Sequence, residues 1–190
     1  MLTDNEIRRK LVETLEKKNK NKHYRIIEEL SICDGLARAD VVIANGLLHG
    51  YEIKSDFDTL ERLENQIKHY EKTFDKCTIV IGEKFIDVIE EKVPEYWGII
   101  MAYMNRYGNV SIKRIRASKF NKQIEATNLL DLLWRNEIIK YLKENKIRGY
   151  SNKDKFGLKE LVISNIPLNK IKEFTRETLK TRTGWRGDLP

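Results

Sequence analysis

Apolar residues recur at helical spacing over residues 4–18, where Ile7, Leu11, Val12 and Leu15 fall together on an amphipathic helix. A second helical stretch is predicted from about Tyr24 to Leu30, gathering Ile26, Ile27 and Leu30. The period then changes. Residues 36–44, with Val41, Val42 and Ile43, and residues 47–54 have the β-branched and aromatic content of strands, and Asn45-Gly46 between them marks a hairpin turn. Asp58-Thr59-Leu60-Glu61 reads as a capping box opening a helix whose buried positions are Leu60, Leu63, Ile67, Tyr70 and Phe74. Residues 77–81 form a buried strand closed by Gly82, and a short helical stretch follows near residues 86–91. Residues 97–104 and 110–116 make another strand pair around Tyr107-Gly108-Asn109. A helix over 129–142 and two more near 157–164 and 168–181 complete the pattern. The order predicts an α/β fold, a mixed central sheet flanked by helices, with a core over residues 1–148 and a basic helical extension over 149–190 joined near 149–155.

The 190 residues suffice to bury one real core. No apolar run is long enough to span a bilayer and the first residues are polar, so a cytoplasmic protein without a membrane partner is expected. Cys33 and Cys77 lie far apart in apolar surroundings, and His23, His49 and His69 lack metal-ligand spacing, which sets zinc chemistry aside. Charge adds a further clue. Residues 1–104 hold 16 Lys/Arg against 20 Asp/Glu, and residues 105–190 hold 20 against 9, giving −4 followed by +11. A basic half beside an acidic one suits a protein that grips a polyanion with one part and performs metal chemistry with the other, although a solvated lysine-rich surface gives the same balance.

The chemistry concentrates on the second hairpin strand. Glu52 and Lys54 are two apart and leave one face about 6.5 Å apart along the strand, while Tyr51 and Ile53 take the other. An acid and a base on an otherwise apolar strand need partners, because burying lone charges is costly. Asp40 on the preceding strand supplies a second carboxylate, provided the turn allows it. A two-residue Asn45-Gly46 turn sends Asp40 away from Glu52; a three-residue loop over residues 44–46 with Gly46 left-handed makes them diagonal neighbours, about 7–8 Å apart between Cα atoms. That bulged loop is the expectation. Hard carboxylate oxygens, with a carbonyl such as that of Ile53, suit Mg²⁺, with Mn²⁺ as a substitute. Such an ion supports phosphodiester hydrolysis, with Lys54 holding the attacking water or the phosphate.

Ala39-Asp40 followed by Glu52-Ile53-Lys54 closely resembles the PD-(D/E)XK motif of restriction-endonuclease-like nucleases, with alanine at the variable proline position. Gln66 and Tyr70, four apart, resemble the Gln-x-x-x-Tyr motif of the RecB-like and lambda-exonuclease-like branch, and Glu29 stands where many members carry a helical metal-supporting glutamate. Residues 25–140, including HGYEIKSDFDTLERLENQIKHY and LLDLLWRNEI, are also similar to small bacterial and mobile-element proteins with this core. The resemblance implies a restriction-endonuclease-like core and divalent-metal cleavage of DNA, RNA not being excluded. It implies Asp40, Glu52, Lys54 and Gln66 as catalytic residues and Asp40, Glu52, the Ile53 carbonyl and Glu29 around the metal. Tyr70 and Arg38, with the basic run Lys113, Arg114 and Arg116, are candidate nucleic-acid contacts; lysines that protect a hairpin edge would read the same way. The competing reading is a nucleic-acid-binding or protein-interaction module on the same fold without turnover, and both are compatible with a homodimer or a partner protein.

Overall fold

The β-branched runs read above become the centre of one sheet in the computed structural model, which describes residues 1–184. Six strands lie in the spatial order of the chain: β1 (Arg25–Ile32), β2 (Ala37–Ala44), β3 (Leu48–Lys54), β4 (Lys76–Ile81), β5 (Gly98–Met104) and β6 (Val110–Arg116). β1, β2 and β3 are antiparallel, β3, β4 and β5 are parallel, and β6 returns antiparallel to β5. Such a mixed sheet needs helices on its faces to cover the parallel strands.

One face is covered by α1 (Asp4–Asn19), capped by Thr3 in a capping box with Glu6. It buries Ile7, Leu11 and Leu15 against Val41, Ile43, Tyr51, Ile53 and Val80. The crossover from β3 to β4 is α2 (Leu63–Thr73), and α3 (Ile89–Lys92) lies between β4 and β5. The opposite face carries α2 together with α4 (Ala126–Asp131), α5 (Arg135–Glu144), α6 (Lys155–Asn165) and α7 (Leu168–Thr181). Leu158, Val162, Ile171 and Leu179 of the last two helices join the same core as Val42, Leu48 and Ile79 of the sheet. No helix among the described residues is long and apolar enough to cross a membrane.

Four local expectations are corrected. Tyr24 to Leu30 is not helical: residues 25–32 form β1, an edge strand. Glu29 interrupts it with a left-handed φ of 57°, so Ile27 and Leu30 reach one core although an odd number of steps separates them, and this imitates helical spacing. The hairpin loop is the three residues Asn45-Gly46-Leu47, with Ala44 paired to Leu48. Gly46 is not left-handed; the Asn45 side chain accepts from the Gly46 and Leu47 amides at 2.7 and 3.2 Å and shapes the turn instead. Asp58 does not cap α2, which starts at Leu63; its carboxylate accepts from the Ser55 amide and hydroxyl at 2.8 and 2.6 Å. The helix expected over 129–142 is two, broken at Leu132 to Trp134, because both pieces turn apolar sides to one core and the stripe runs on through the break.

Candidate active site

β2 pairs with β1 down to Ala37 but with β3 only as far as Val41 opposite Tyr51. Beyond that point the two strands separate, and the gap opens at the carboxyl end of β3, the end of a parallel strand where α/β sheets bind ligands. One further step of the register sets Asp40 against Glu52, directly rather than diagonally. The side-chain alternation of β2 breaks here, since Ala39 and Val42 serve one core and Val41 the other. Asp40 therefore reaches across the sheet: its Oδ2 accepts from the Ile53 amide at 2.7 Å, where a ladder carbonyl would otherwise sit. A strand residue's amide and carbonyl face the same edge, so the Ile53 carbonyl also looks into the gap.

Glu52 is buried to 1% exposure and Lys54 to 5%. Lys54 Nζ donates to Glu52 Oε1 at 2.9 Å and to Gln66 Oε1 at 2.8 Å. Gln66 Nε2 donates to the same Glu52 oxygen, and Tyr70 Oη donates to Glu52 Oε2 at 2.7 Å. Gln66 and Tyr70 are four apart on α2 and so project together into the cluster. Tyr70 is wholly buried, its ring against Phe74 and Trp97 with centroids 5.2 and 5.5 Å away. Burial above all, with Glu52 and Asp40 nearby, holds its hydroxyl protonated far above the ordinary range.

Burial likewise raises the Asp40 carboxyl, to about 7, and the charge of Glu52 adds to the rise; the Ile53 amide and Arg8 oppose it. Arg8 is the residue that sequence reasoning missed. From α1 it donates to the Asp40 carbonyl at 2.7 Å, lies 3.5 Å from Asp40 Oδ1, and pairs with Glu29 at 2.9 Å and Asp4 at 3.0 Å. Its only local signal is an acid four positions earlier on a helix, a spacing shared by many solvated pairs.

The other expected residues separate. Glu29 lies on β1, not on a helix, and its carboxylate is held by Arg8 and by Arg38 at 2.5 Å. Arg38 is thus an exposed rim partner of Glu29. Beside this pair a cleft of about 1050 Å³ runs between β1 and the later helices, past Ser31, Trp134 and Lys155. Lys113, Arg114 and Arg116 are on β6, three strands from β3 and so roughly 14 Å across the sheet. Arg116 is occupied structurally, donating to the Trp97 and Pro94 carbonyls at 2.9 and 2.8 Å.

The residues present fit a divalent cation of the Mg²⁺ kind. No group of three or more His, Cys, Asp or Glu side chains suited to a metal occurs among the described residues, but Mg²⁺ is ordinarily held by one or two carboxylates with waters. A carboxylate offers about four lone-pair positions, and Glu52 uses three, leaving one on Oε2. The high Asp40 pKa marks a half-buried acid beside the buried charge of Glu52, incompletely balanced by Arg8 and the Ile53 amide.

Residues 1–188 match the family described as bacteriophage P4 protein cII. The chain belongs to that family. Protein cII of Enterobacteria phage P4 is 32% identical to it over 182 residues, covering 96% of this chain and 68% of the phage protein. No solved structure matches. In this cII-family chain the match spans α1, the sheet and all the later helices, so Arg8 and the acid, lysine and glutamine positions fall within it.

Proposed function

We propose that the protein is a Mg²⁺-dependent nuclease that hydrolyses DNA phosphodiester bonds on a restriction-endonuclease-like core. The observation that carries the reading is the convergence of Asp40, Glu52, Lys54 and Gln66 where β2 and β3 part. A cation bound there supplies charge neutralisation on the phosphate and a more acidic water. Asp40 and Glu52 would hold it, with the Ile53 carbonyl. Lys54 has three ammonium protons and two are used within the cluster, so one is left to hold a water or a phosphate oxygen. Gln66 fixes the lysine, and Tyr70 fixes Glu52 from the opposite side. The PD-(D/E)XK resemblance supports the same roles.

The test is incubation of purified protein with plasmid, linear duplex, single-stranded DNA and RNA in Mg²⁺, Mn²⁺ or EDTA. Cleavage in either metal but not in EDTA is expected, with Asp40→Ala and Lys54→Ala reduced at least 100-fold. If nothing is cut, or the variants cut as wild type does, the reading fails.

One observation favours a second reading. Glu52 is nearly inaccessible, and both of its oxygens are engaged by neighbours. A nucleic-acid-binding or protein-interaction module that retains the cluster as a structural clamp would look the same, and it would bind without turnover in every metal condition.

A further inference from the structure

A second concavity lies on the face of the sheet covered by α1, the face opposite that of Glu52 and Lys54. The end of α1, the β2–β3 loop and the start of β4 surround about 480 Å³. Its lining includes Lys18, Lys22, Lys76 and Arg114 and no carboxylate. Among the described residues none of these four cations has an ion pair, a state they share with other surface lysines; what sets them apart is that all four line one hollow. Four unneutralised cations around one hollow repel one another, and a polyanion relieves that repulsion.

The hollow is also built rather than incidental. Its floor is the His49 ring stacked on Tyr51, with centroids 4.2 Å apart. His49 Nε2 is 2.8 Å from Thr78 Oγ1 and its Nδ1 is 3.2 Å from Tyr51 Oη, so the imidazole is fixed on both sides. Buried Asn19 pins the wall, donating to the Leu15 carbonyl at 2.8 Å and accepting from Asn45 Nδ2 at 2.9 Å. Lys76 Nζ is held 4.8 Å over the Phe120 ring. Burial depresses the His49 pKa to about 3, so the positive charge belongs to the rim.

We infer that this hollow binds the phosphate groups of a polynucleotide strand. Its volume lies within the range of small-ligand sites, about 300–1,000 Å³, enough for a nucleotide unit, with the lysines and arginine reaching the phosphates on either side. The inference is independent of the nuclease reading, because it uses none of the carboxylate cluster and is tested in EDTA.

The experiment is fluorescence anisotropy of the full chain in EDTA with a labelled single-stranded DNA 20-mer, and separately with labelled ADP. The site variant K22Q/K76Q/R114Q is compared with K140Q/K153Q/K170Q, which removes equal charge from other surfaces. The expected result is oligonucleotide affinity at least tenfold lower in the site variant and within twofold of wild type in the control. The salt dependence of log affinity should be shallower by about 2, from roughly 0.7 per lost single-strand contact. Equal loss in both variants, or no binding by wild type, overturns the proposal. Site-dependent binding of ADP without binding of the 20-mer overturns the polynucleotide assignment and gives the hollow to a free nucleotide. Whether DNA is cleaved in Mg²⁺ decides the other reading separately.

Discussion

The Tyr70 hydroxyl donates to Glu52 Oε2 at 2.7 Å and accepts the Asp40 amide at 3.3 Å, so one side chain of α2 clasps both strands at the point where they part. Tyr70→Phe keeps the packed ring and removes only the clasp. A buried carboxylate oxygen then loses its donor, and unfolding by urea is expected to show a loss of about 1–3 kcal/mol. A stability equal to wild type would show that the hydroxyl does not hold Glu52.

Lys54 is the cation that compensates buried Glu52. Lys54→Met leaves that acid alone, with an expected loss of about 3–5 kcal/mol. Glu52→Gln/Lys54→Met removes the stranded charge and should recover most of it. Equal losses in the single and double variants, measured by the same urea titration, would mean that the pair is not coupled.

The pattern of these contacts explains what could be read beforehand. Strands β2 to β6 announced themselves by β-branched and aromatic content, which marks a strand even where both of its faces are buried. β1 did not, since the left-handed Glu29 shifts Leu30 onto the side of Ile27. The Glu52-x-Lys54 pair was legible because two steps along a strand always share a face. The route by which Asp40 joins them was not, since it depends on a loop shaped by the Asn45 side chain and on a break in alternation. Arg8 was invisible because 32 residues separate it from Asp40 and no spacing rule connects a helix to a strand at that distance.

The raised Asp40 pKa gives a pH dependence of definite sign. Its folded value near 7 exceeds the ordinary 3.8, so the folded protein binds the extra proton between those limits. Stability of metal-free protein should therefore fall as pH rises from about 4 to 7, by on the order of 1–3 kcal/mol relative to Asp40→Asn. Saturating Mg²⁺ should lessen the fall if the cation binds beside Asp40. Identical pH profiles for wild type and Asp40→Asn in EDTA would refute the assignment.

Gly50 lies on β3 under the Phe74 ring, and a Cβ at this position would overlap that ring, which is itself fully buried. Gly50→Ala is expected to lower stability by about 1–3 kcal/mol through overpacking. Gly46→Ala, where nothing lies within 4 Å, serves as the neutral comparison in thermal melts. Equal melting temperatures for the two would place the ring elsewhere.

Helix α7 lies more than 100 residues after the β2–β3 hairpin, yet it helps cover that hairpin's sheet face, and Lys180 Nζ donates to the Asn45 carbonyl at 3.3 Å. For a chain emerging from a ribosome at about 5–20 residues per second, the hairpin that carries Asp40 and Glu52 waits on the order of ten seconds for this cover. Through that interval Val42 and Leu48 lack their final shelter, so newly made protein is at its most vulnerable to chaperone capture or aggregation just before residue 180 arrives.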